Sequence, residues 1–465
     1  MTSSMSRTGY IVHDCPAEVK RELTVRPIAT SDFGFPPPAF KVFKKSGTAA
    51  GTNAVCVPRF YGIEKFGEPG VDRRPEPAKM SPGVKFIGKL RAETCQLEAF
   101  SKGIKQGNGV LSLPCGYGKT TVALAMAAKL GYRTMIVVHK EFLANQWRDR
   151  IRQFCPGATI GVVQQDRIEV DGCDFVIAML QSLSMKEYSY AQFESVGTLF
   201  VDEAHHVCAR VFSQGLFKMC PKHCYGLSAT PERKDGLTKI LHWFLGPTFF
   251  AVERKDQTQV EVFVVPHISP IFAQAPPCNK LGKVSLVHMI TALVDDPERN
   301  RVLTGLIQRV SQNGARKVLV LSDRRLHCQY LQSKFGDARS GLYMGGMKEA
   351  ALGESSTKDI IFATFSQAHE GLDIPALDTV ILATPKSDIQ QSIGRIMRET
   401  PGKRNSPHIY DIHDHWSLLN AMFLKRRKVY TQGGFKITGE RAGADGADAD
   451  AAQQQLFKGK CMLLV

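Results

Sequence analysis

Two short motifs carry residue types suited to the chemistry of phosphate groups. The first is VLSLPCGYGKTT, residues 110–121, in which an apolar run leads through two glycines to Lys119 and Thr120. Gly116 and Gly118 let the backbone turn tightly and approach anionic oxygens, because a glycine has no Cβ. A lysine placed here reaches the β- and γ-phosphates of a nucleotide, and the threonine hydroxyl binds magnesium. The motif therefore predicts a nucleotide-binding turn.

The second motif follows an apolar run, TLFV, which ends in Asp202 and Glu203. At the carboxyl edge of a parallel sheet these carboxylates would lie beside the phosphate turn. Asp202 can then hold Mg²⁺ through water, and Glu203 can orient and deprotonate the attacking water. An acidic helix cap would explain Asp202, but it would not explain Glu203, His205 and the upstream turn together. We therefore predict hydrolysis of ATP with Mg²⁺, with Lys119, Asp202 and Glu203 in catalytic roles and Thr120 and Asp202 at the metal.

The hydrophobic pattern predicts the elements that position these motifs. Between about residues 86 and 256, helical stretches alternate with the apolar strands VLSL, TMIVV, FVIAM, TLFV and YGLS. Between about 257 and 432, a second series contains KVLVLS, DIIFAT, DTVILAT and HIYDI, with VFVVP ahead of it as a connecting strand. Such alternation is typical of a doubly wound parallel sheet. We expect an α/β fold with two domains of this kind, residues 86–256 and 257–432.

The flanking segments differ from this pattern. Residues 1–85 are rich in Pro, Gly and aromatic residues and show no sustained helical period, which predicts a small, loop-rich accessory domain. We expect its aromatic residues Phe60, Tyr61 and Phe66 to pack its core rather than to stack on bases. The segment GERAGADGADADAAQQQ is small, polar and acidic, so residues 433–465 are predicted to form a flexible tail.

The composition limits the class of protein. Of the 465 residues 43% are hydrophobic and 22% charged, which favours a soluble protein with at least two packed domains. The chain has neither a secretory signal nor an apolar run of about 18 residues, so we expect an intracellular protein without a membrane segment. The excess of 60 Lys and Arg over 44 Asp and Glu, a formal +16, suits a nucleic-acid partner. The twelve cysteines are predicted to be reduced, because the cluster Cys208, Cys220, His223 and Cys224 lacks the paired spacing of structural zinc.

The motifs PCGYGKT, VDEAHH, LSAT and QQSIGRIMR, in this order, resemble those of the DEAH-bearing helicases of superfamily two. Within residues 86–432, LSATPERKDGL and the stretch 363–399 look most like the XPB and UvsW branch, and closer still like the transcript-release helicases of poxviruses and other large DNA viruses. The resemblance implies two RecA-like domains that form a nucleic-acid-dependent ATPase. VVHKEFLANQW stands where the RNA-processing members have a motif rich in Thr, Pro and Arg, so the resemblance favours DNA.

The same resemblance implies roles for individual residues. Those at the nucleotide are Gln96, Pro114, Cys115, Gly116, Tyr117, Gly118, Lys119, Thr120, Thr121, Gly371 and Asp373. Those that couple the two domains are His205, Ser228, Ala229 and Thr230. Gln391 would lie beside the catalytic water, and Arg395 and Arg398 would reach the γ-phosphate, where arginines stabilise transition-state charge.

A sequence-independent track is expected to contact backbone phosphates near His139, Gln181, Ser182 and Thr364. The basic run Lys425–Lys428 either grips a nucleic-acid backbone or is a solvated helix face. The leading hypothesis is a monomeric DNA helicase or translocase of viral type, with partners in transcription, repair or recombination. The alternative is an RNA or RNA–DNA hybrid motor that releases transcripts. A scaffold without hydrolysis is disfavoured, because Lys119, Glu203, Arg395 and Arg398 are all present.

Overall fold

The computed structural model describes residues 3–28, 37–46, 54–114, 116–229, 232, 235–252, 260–280, 282–370, 372, 374–397 and 405–439. The chain divides into two compact units, Met1–Arg254 and Lys255–Val465. Each unit is built on its own large sheet. Within the described ranges, no helix combines the length and the apolar character needed to cross a membrane.

The first unit begins with a small sheet of five short strands, ordered β5-β6-β2-β1-β7, and a separate pair, β3 with β4. Tyr61 is buried in its core and Phe66 stacks on Tyr10, so these two aromatic residues have the packing role predicted for them. The elements are β1 (Ser3–Ser6), β2 (Gly9–Val12), α1 (Ala17–Glu22), β3 (Thr24–Val25), β4 (Phe40–Lys41), β5 (Lys44–Lys45), β6 (Val55–Val57), α2 (Arg59–Phe66) and β7 (Val71–Asp72).

The rest of the first unit is an eight-stranded sheet in the order β11-β10-β12-β9-β13-β14-β8-β15. Among the described strands, every neighbouring pair of this sheet is parallel except β10 with β11. The elements are α3 (Gln96–Gln106), β8 (Gly109–Ser112), α4 (Lys119–Leu130), β9 (Thr134–Val138), α5 (Glu141–Phe154), β10 (Ile160–Gln164), β11 (Arg167–Ile168), β12 (Phe175–Met179), α6 (Leu180–Met185), β13 (Thr198–Asp202), β14 (His223–Ser228), α7 (Thr238–Leu245) and β15 (Thr248–Ala251).

Alternate residues of the central strands enter two different cores, one on each face of the sheet. Val137 and Val201 pack with α7 on one face, whereas Ile136 and Phe200 pack with α4 and α5 on the other. Strands buried on both faces read as continuous apolar runs, which explains why TMIVV and TLFV stand out in the sequence. Because the strands are parallel, the residues that follow them meet at one carboxyl edge of the sheet.

The second unit contains a seven-stranded sheet in the order β18-β19-β17-β20-β21-β16-β22, and its described neighbouring strands are all parallel. Its elements are β16 (Glu261–His267), α8 (Leu286–Asp295), α9 (Pro297–Val310), β17 (Val318–Ser322), α10 (Arg325–Ser333), β18 (Ser340–Tyr343), α11 (Glu349–Thr357), β19 (Ile360–Thr364), α12 (Phe365–Glu370), β20 (Thr379–Leu382), α13 (Gln390–Gly394), β21 (His408–Asp414), α14 (Leu418–Gln432) and β22 (Lys436–Thr438). The predicted α/β class with parallel sheets is confirmed.

Two expectations for the second unit need correction. VFVVP, predicted as a connecting strand, lies in β16, which pairs with β21 from Glu261 opposite His408 to His267 opposite Asp414. Val262 and Val264 are buried there, so the strand is part of the core. The segment predicted as a tail begins with an ordered strand, because β22 pairs with β16. The tail residues from 440 onward lie outside the described residues.

Two fully buried ion pairs lie in the core of the second unit. The Arg426 guanidinium donates to both carboxylate oxygens of Asp411 at 2.8 Å, and Tyr430 donates its hydroxyl to the same carboxylate. Arg299 makes the equivalent paired contact with Asp414. Buried charges are tolerated when they are paired in this way. The basic run Lys425–Lys428 therefore has two kinds of member, since Arg426 is buried while its three neighbours are exposed.

The described cysteines are free thiols. Burial raises the pKa of the Cys224 thiol to about 12, as expected for a packed and unreactive side chain. In the cluster considered for zinc, Cys220 Sγ lies 3.7 Å from Met5 Sδ, and His223 Nδ1 lies 2.9 Å from the Gly107 carbonyl oxygen. Its members therefore have packing or backbone contacts.

Candidate functional site

The phosphate turn joins β8 to α4 at the carboxyl edge of the first sheet. Gly116 and Gly118 both have left-handed backbones, with φ of +87° and +83°. A Cβ on Gly118 would lie 2.4 Å from Gln96 Nε2, so a larger residue would displace the Gln96 amide and would be strained at this φ. Lys119 is the first residue of α4, and its Nζ donates to the Leu113 carbonyl oxygen at 2.9 Å. The turn thus presents the amino end of a 12-residue helix and a lysine to the same space, which suits an anion.

Gln96 braces this turn. Its buried side chain donates from Nε2 to the Tyr117 carbonyl oxygen at 2.9 Å and accepts at Oε1 from the Arg91 amide at 3.0 Å. Both ends of the amide are therefore used within the protein, and the structure shows Gln96 as a support of the phosphate turn. Pro114, Thr120 and Thr121 are half-buried around the turn. Cys115 lies outside the described residues.

The two carboxylates lie at the end of β13, as the sequence predicts. Asp202 Oδ2 accepts from the Trp147 indole Nε1 at 2.8 Å, and Oδ1 accepts from the Glu203 amide at 3.0 Å. Desolvation and the neighbouring Glu203 carboxylate raise the pKa of Asp202, while the Lys119 ammonium opposes this shift. The structure therefore brings Lys119 of the phosphate turn within electrostatic reach of Asp202.

Glu203 has an unusual backbone conformation and an unusual side-chain environment. Its φ of +45° lies in the left-handed region, which is strained for a residue with a Cβ and is common at functional sites. Its Oε2 atom is buried, makes no hydrogen bond within the described part of the chain, and lies 3.6 Å from His205 Nδ1. His205 Nδ1 is also 3.3 Å from Ser228 Oγ, at the end of β14. Glu203, His205 and Ser228 therefore form one connected group.

The predicted nucleic-acid residues of the first unit occupy different environments. His139 is buried, and its ring centroid lies 3.9 Å from that of His206. Desolvation and the Lys140 ammonium hold the pKa of His139 below its ordinary value, and the carboxylates of Glu203 and Asp202 oppose this shift, so the histidine lies beside the acidic motif. Its side chain is thus packed within the protein.

Ser182 and Gln181 are adjacent on α6 but point differently. Ser182 is buried, and its Oγ accepts from the Gln165 amide at 2.9 Å. Gln165 has a left-handed backbone with φ +53°, so the hydroxyl stabilises a tight turn after β10. Gln181, in contrast, has an exposed side chain. Of these two residues, Gln181 is the one whose side chain reaches solvent.

The remaining predicted residues, most of them in the second unit, are only partly described. Thr364 ends β19, and its Oγ1 lies 3.3 Å from Ser366 Oγ beside a cavity of about 410 Å³. Arg395 donates from Nε to the Ala368 carbonyl oxygen at 2.9 Å. Ala229, in the first unit, is half-buried after Ser228. The residues Thr230, Gly371, Asp373 and Arg398, and the side chain of Gln391, lie outside the described residues.

Trp147 is a site residue that the sequence analysis missed. It lies on α5, is buried, and holds the carboxylate of Asp202 through its indole N–H. The available signal was a tryptophan in the amphipathic stretch FLANQW, because a buried indole N–H requires an acceptor. The sequence alone does not identify that acceptor as Asp202.

Comparisons with known proteins show which proteins this chain is similar to. Residues 89–233 match the family described as "Type III restriction enzyme, res subunit". Over 445 residues the chain is 33% identical to L396 of Acanthamoeba polyphaga mimivirus, provisionally named an ATP-dependent RNA helicase, with 92% of this chain and 84% of that protein covered. It is 27% identical to the provisionally named helicase 161L of Invertebrate iridescent virus 6, with 76% of this chain and 83% of that protein covered. QP509L of African swine fever virus has the same provisional name as L396. It is 25% identical to this chain, with 71% of this chain and 70% of that protein covered.

A glycine-rich phosphate turn and an Asp-Glu pair at the carboxyl edge of a parallel sheet define an ATPase of the P-loop class. The chain belongs to superfamily two of the helicases, and the relatives named above are proteins of large DNA viruses. It is therefore a nucleic-acid-dependent ATPase of helicase type.

Proposed function

We propose that this protein is a monomeric motor that uses ATP hydrolysis to move along or unwind DNA during viral transcription, repair or recombination. The observation that carries its ATP-driven part is the connected group of Asp202, Glu203, His205 and Ser228 beside Lys119. DNA as the track is supported by VVHKEFLANQW, which differs from the motif of the RNA-processing DEAH helicases.

At the ATP site, Lys119 exchanges its hydrogen bond to the Leu113 carbonyl for the β- and γ-phosphates. The oxygen ligands that Mg²⁺ prefers are available in the Thr120 hydroxyl and the Asp202 carboxylate. The raised pKa of Asp202 fits such a site, because a nearby cation would offset the cost of its buried negative charge. When bound, Mg²⁺ neutralises charge on the phosphates. Tyr117, Thr121 and Gln96 support the turn.

Glu203 is proposed as the base. Its buried Oε2 atom has no hydrogen-bond partner within the described residues, so it can accept the proton of a water molecule held before the γ-phosphate. The left-handed backbone fixes the direction of this side chain. His205 connects Glu203 to Ser228, and we propose that these residues, with Ala229 and Thr230, transmit the state of the nucleotide.

The remaining catalytic assignments rest on the family resemblance. We propose that Arg395 and Arg398 stabilise the charge that develops on the γ-phosphate. Gln391 is proposed beside the attacking water, and Gly371 and Asp373 are proposed to sense the nucleotide. For the track, we propose that Gln181 and Thr364 contact the backbone directly. His139 and Ser182 are buried, so we propose that they act by holding the loops at the sheet edge.

A second candidate, an RNA or RNA–DNA hybrid motor, is favoured by the names of two relatives, since L396 and QP509L are both called RNA helicases. The deciding experiment is the steady-state ATPase rate without nucleic acid and with single-stranded DNA, duplex DNA, RNA or a hybrid. Glu203→Gln serves as the blank. Stimulation by DNA that is absent from the variant supports the DNA motor, whereas stimulation by RNA or hybrid alone selects the second candidate.

A further inference from the structure

A cavity of about 410 Å³ opens at the carboxyl edge of the second sheet. Two cations, Arg325 and Lys386, and two hydroxyl groups, of Thr364 and Ser366, line it. Arg325 is exposed at the start of α10 and donates to the Gly345 carbonyl oxygen at 2.6 Å, which fixes its side chain at the rim. Cations and hydroxyl donors around one concave space match the oxygens of a phosphate group.

One carboxylate, that of Asp323, also lines this cavity. Lys386 Nζ lies 3.1 Å and 3.5 Å from its two oxygens, and 5.5 Å from the centre of the Phe365 ring. Both members of the ion pair are partly exposed, with 35% and 21% of their side-chain surfaces accessible. A pair that reaches solvent is weak and exchangeable, because water and incoming ions compete for both charges.

The backbones that carry this pair are held more firmly than the pair itself. The amide of Asp323 donates to Thr384 Oγ1 at 2.8 Å, which joins the loops after β17 and β20. The Lys386 carbonyl oxygen accepts from Arg426 Nη1 at 3.0 Å. Arg426 is itself fixed by the buried carboxylate of Asp411. A buried charge network therefore holds the backbone of Lys386 in place, while its side-chain ammonium can move.

We propose that this cavity binds one backbone phosphate of the nucleic-acid track through Arg325 and Lys386, and that Asp323 is an exchangeable counter-ion for Lys386. When the phosphate enters, Lys386 turns from the carboxylate to the phosphate; when the track is released, it returns. Asp323 thereby keeps the grip weak enough for repeated release. This inference rests on the proposed nucleic-acid motor and adds two cations and one tuning carboxylate to the contact proposed for Thr364.

The test measures equilibrium binding of a fluorescently labelled single strand over a range of salt concentrations. Lys386→Gln is expected to weaken binding about tenfold, because it removes a charge-assisted contact. The slope of log K against log salt should fall by about 0.7, the value for one phosphate contact on a single strand. Asp323→Asn is expected to tighten binding about threefold. The change frees Lys386 from its ion pair and removes a negative charge that would repel the phosphate.

The double variant separates counter-ion exchange from simple repulsion. If Asp323 acts through Lys386, the gain from Asp323→Asn shrinks in the Lys386→Gln background, since the two residues are coupled. An equal gain in both backgrounds would mean that Asp323 merely repels phosphate, and would overturn the exchange. Lys386→Arg keeps the charge and should restore binding, which excludes misfolding as the cause of a loss.

Lys334→Gln is the matched control, since Lys334 is an exposed cation just after the last residue of α10, at the opposite end of that helix from Arg325. It should bind like the wild type. If Lys386→Gln and Lys334→Gln behave alike while the wild type binds well, the cavity is not a phosphate site. If only the ATP concentration for half-maximal rate changes in Lys386→Gln, the cavity serves nucleotide phosphate and the inference fails. If the wild type binds no nucleic acid at all, the proposed motor fails with it.

Discussion

The carboxyl edges of the two large sheets share one architecture but carry different side chains. On the first sheet, Lys119 lies within electrostatic reach of Asp202, whose carboxylate also interacts with that of Glu203. On the second, Arg325 and Lys386 line a cavity with a single carboxylate. Opposite charges around a phosphate turn can hold a metal and activate water, whereas an excess of cations can only bind anionic oxygens. Under the proposed roles, the same kind of parallel sheet supports hydrolysis or phosphate binding according to the residues that follow its strands.

Each edge also depends on one buried side chain from a neighbouring helix. Trp147 on α5 fixes the carboxylate of Asp202, and Arg426 on α14 fixes the backbone of Lys386. Neither residue is proposed to contact the nucleotide or the nucleic acid. Each positions that group, as supporting residues around functional sites commonly do.

The largest expected effect is a loss of ATPase rate on substitution of Arg398. It would show that the catalytic residues are not confined to the first sheet. Arg398 belongs to the second unit, yet the resemblance implies that it acts on the γ-phosphate. Arg398→Ala should lower the maximal ATPase rate about 10³- to 10⁵-fold while the affinity for nucleotide stays near that of the wild type. Lys119→Ala should instead weaken nucleotide binding. Equal ATPase rates in Arg398→Ala and the wild type would confine the catalytic residues to the first unit.

Substituting Arg426 removes the buried ion pair that supports the second sheet edge. Arg426→Met leaves the carboxylate of Asp411 buried, with the Tyr430 hydroxyl as its one remaining side-chain donor among the described residues. The free energy of unfolding of the second unit should fall by about 3–5 kcal/mol, the cost of an uncompensated buried charge. Urea unfolding measures this change. Lys428→Met, on the exposed face of the same helix, is the control, and equal stability of the two variants would contradict the importance assigned to the buried pair.

The support of the first edge gives a smaller effect. Trp147→Phe keeps most of the packing but removes the N–H that Asp202 accepts. We expect the maximal ATPase rate to fall about tenfold, in keeping with the loss of a hydrogen bond to a charged group. Trp243→Phe is the control for the loss of an indole, because Trp243 packs against Tyr61 and makes no contact assigned to the site. If both variants lose the same activity, Trp147 has no special role at Asp202.

The sequence predicted the sheets better than it predicted the contacts between them and their helices. TMIVV and FVIAM are continuous apolar runs, because the strands they form are buried on both faces, and they coincide with β9 and β12. VFVVP was misread as a connecting strand, because local pattern does not reveal its pairing with the distant β21. The burial of Arg426 within a basic run was also hidden, since it depends on Asp411, fifteen positions away.

The site shows the same limit. Lys119, Asp202 and Glu203 could be found from motif spacing, because parallel strands place their carboxyl ends together. The packing of His139 against His206 could not, because one follows β9 and the other follows β13, and only pairing of those strands brings the rings together. Side-chain direction is likewise invisible in sequence, as Gln181 and its buried neighbour Ser182 show.

The most direct test of the division between the two edges is the ATPase rate as a function of nucleic-acid concentration in Glu203→Gln and Thr364→Ala. Glu203→Gln should lose the maximal rate, by about 10²-fold or more, yet bind the track as the wild type does. Thr364→Ala should keep the maximal rate and need about fivefold more nucleic acid to reach half of it. If Glu203→Gln retains hydrolysis, or if Thr364→Ala loses the maximal rate without a shift in half-saturation, hydrolysis and nucleic-acid binding are not divided between the two edges in this way.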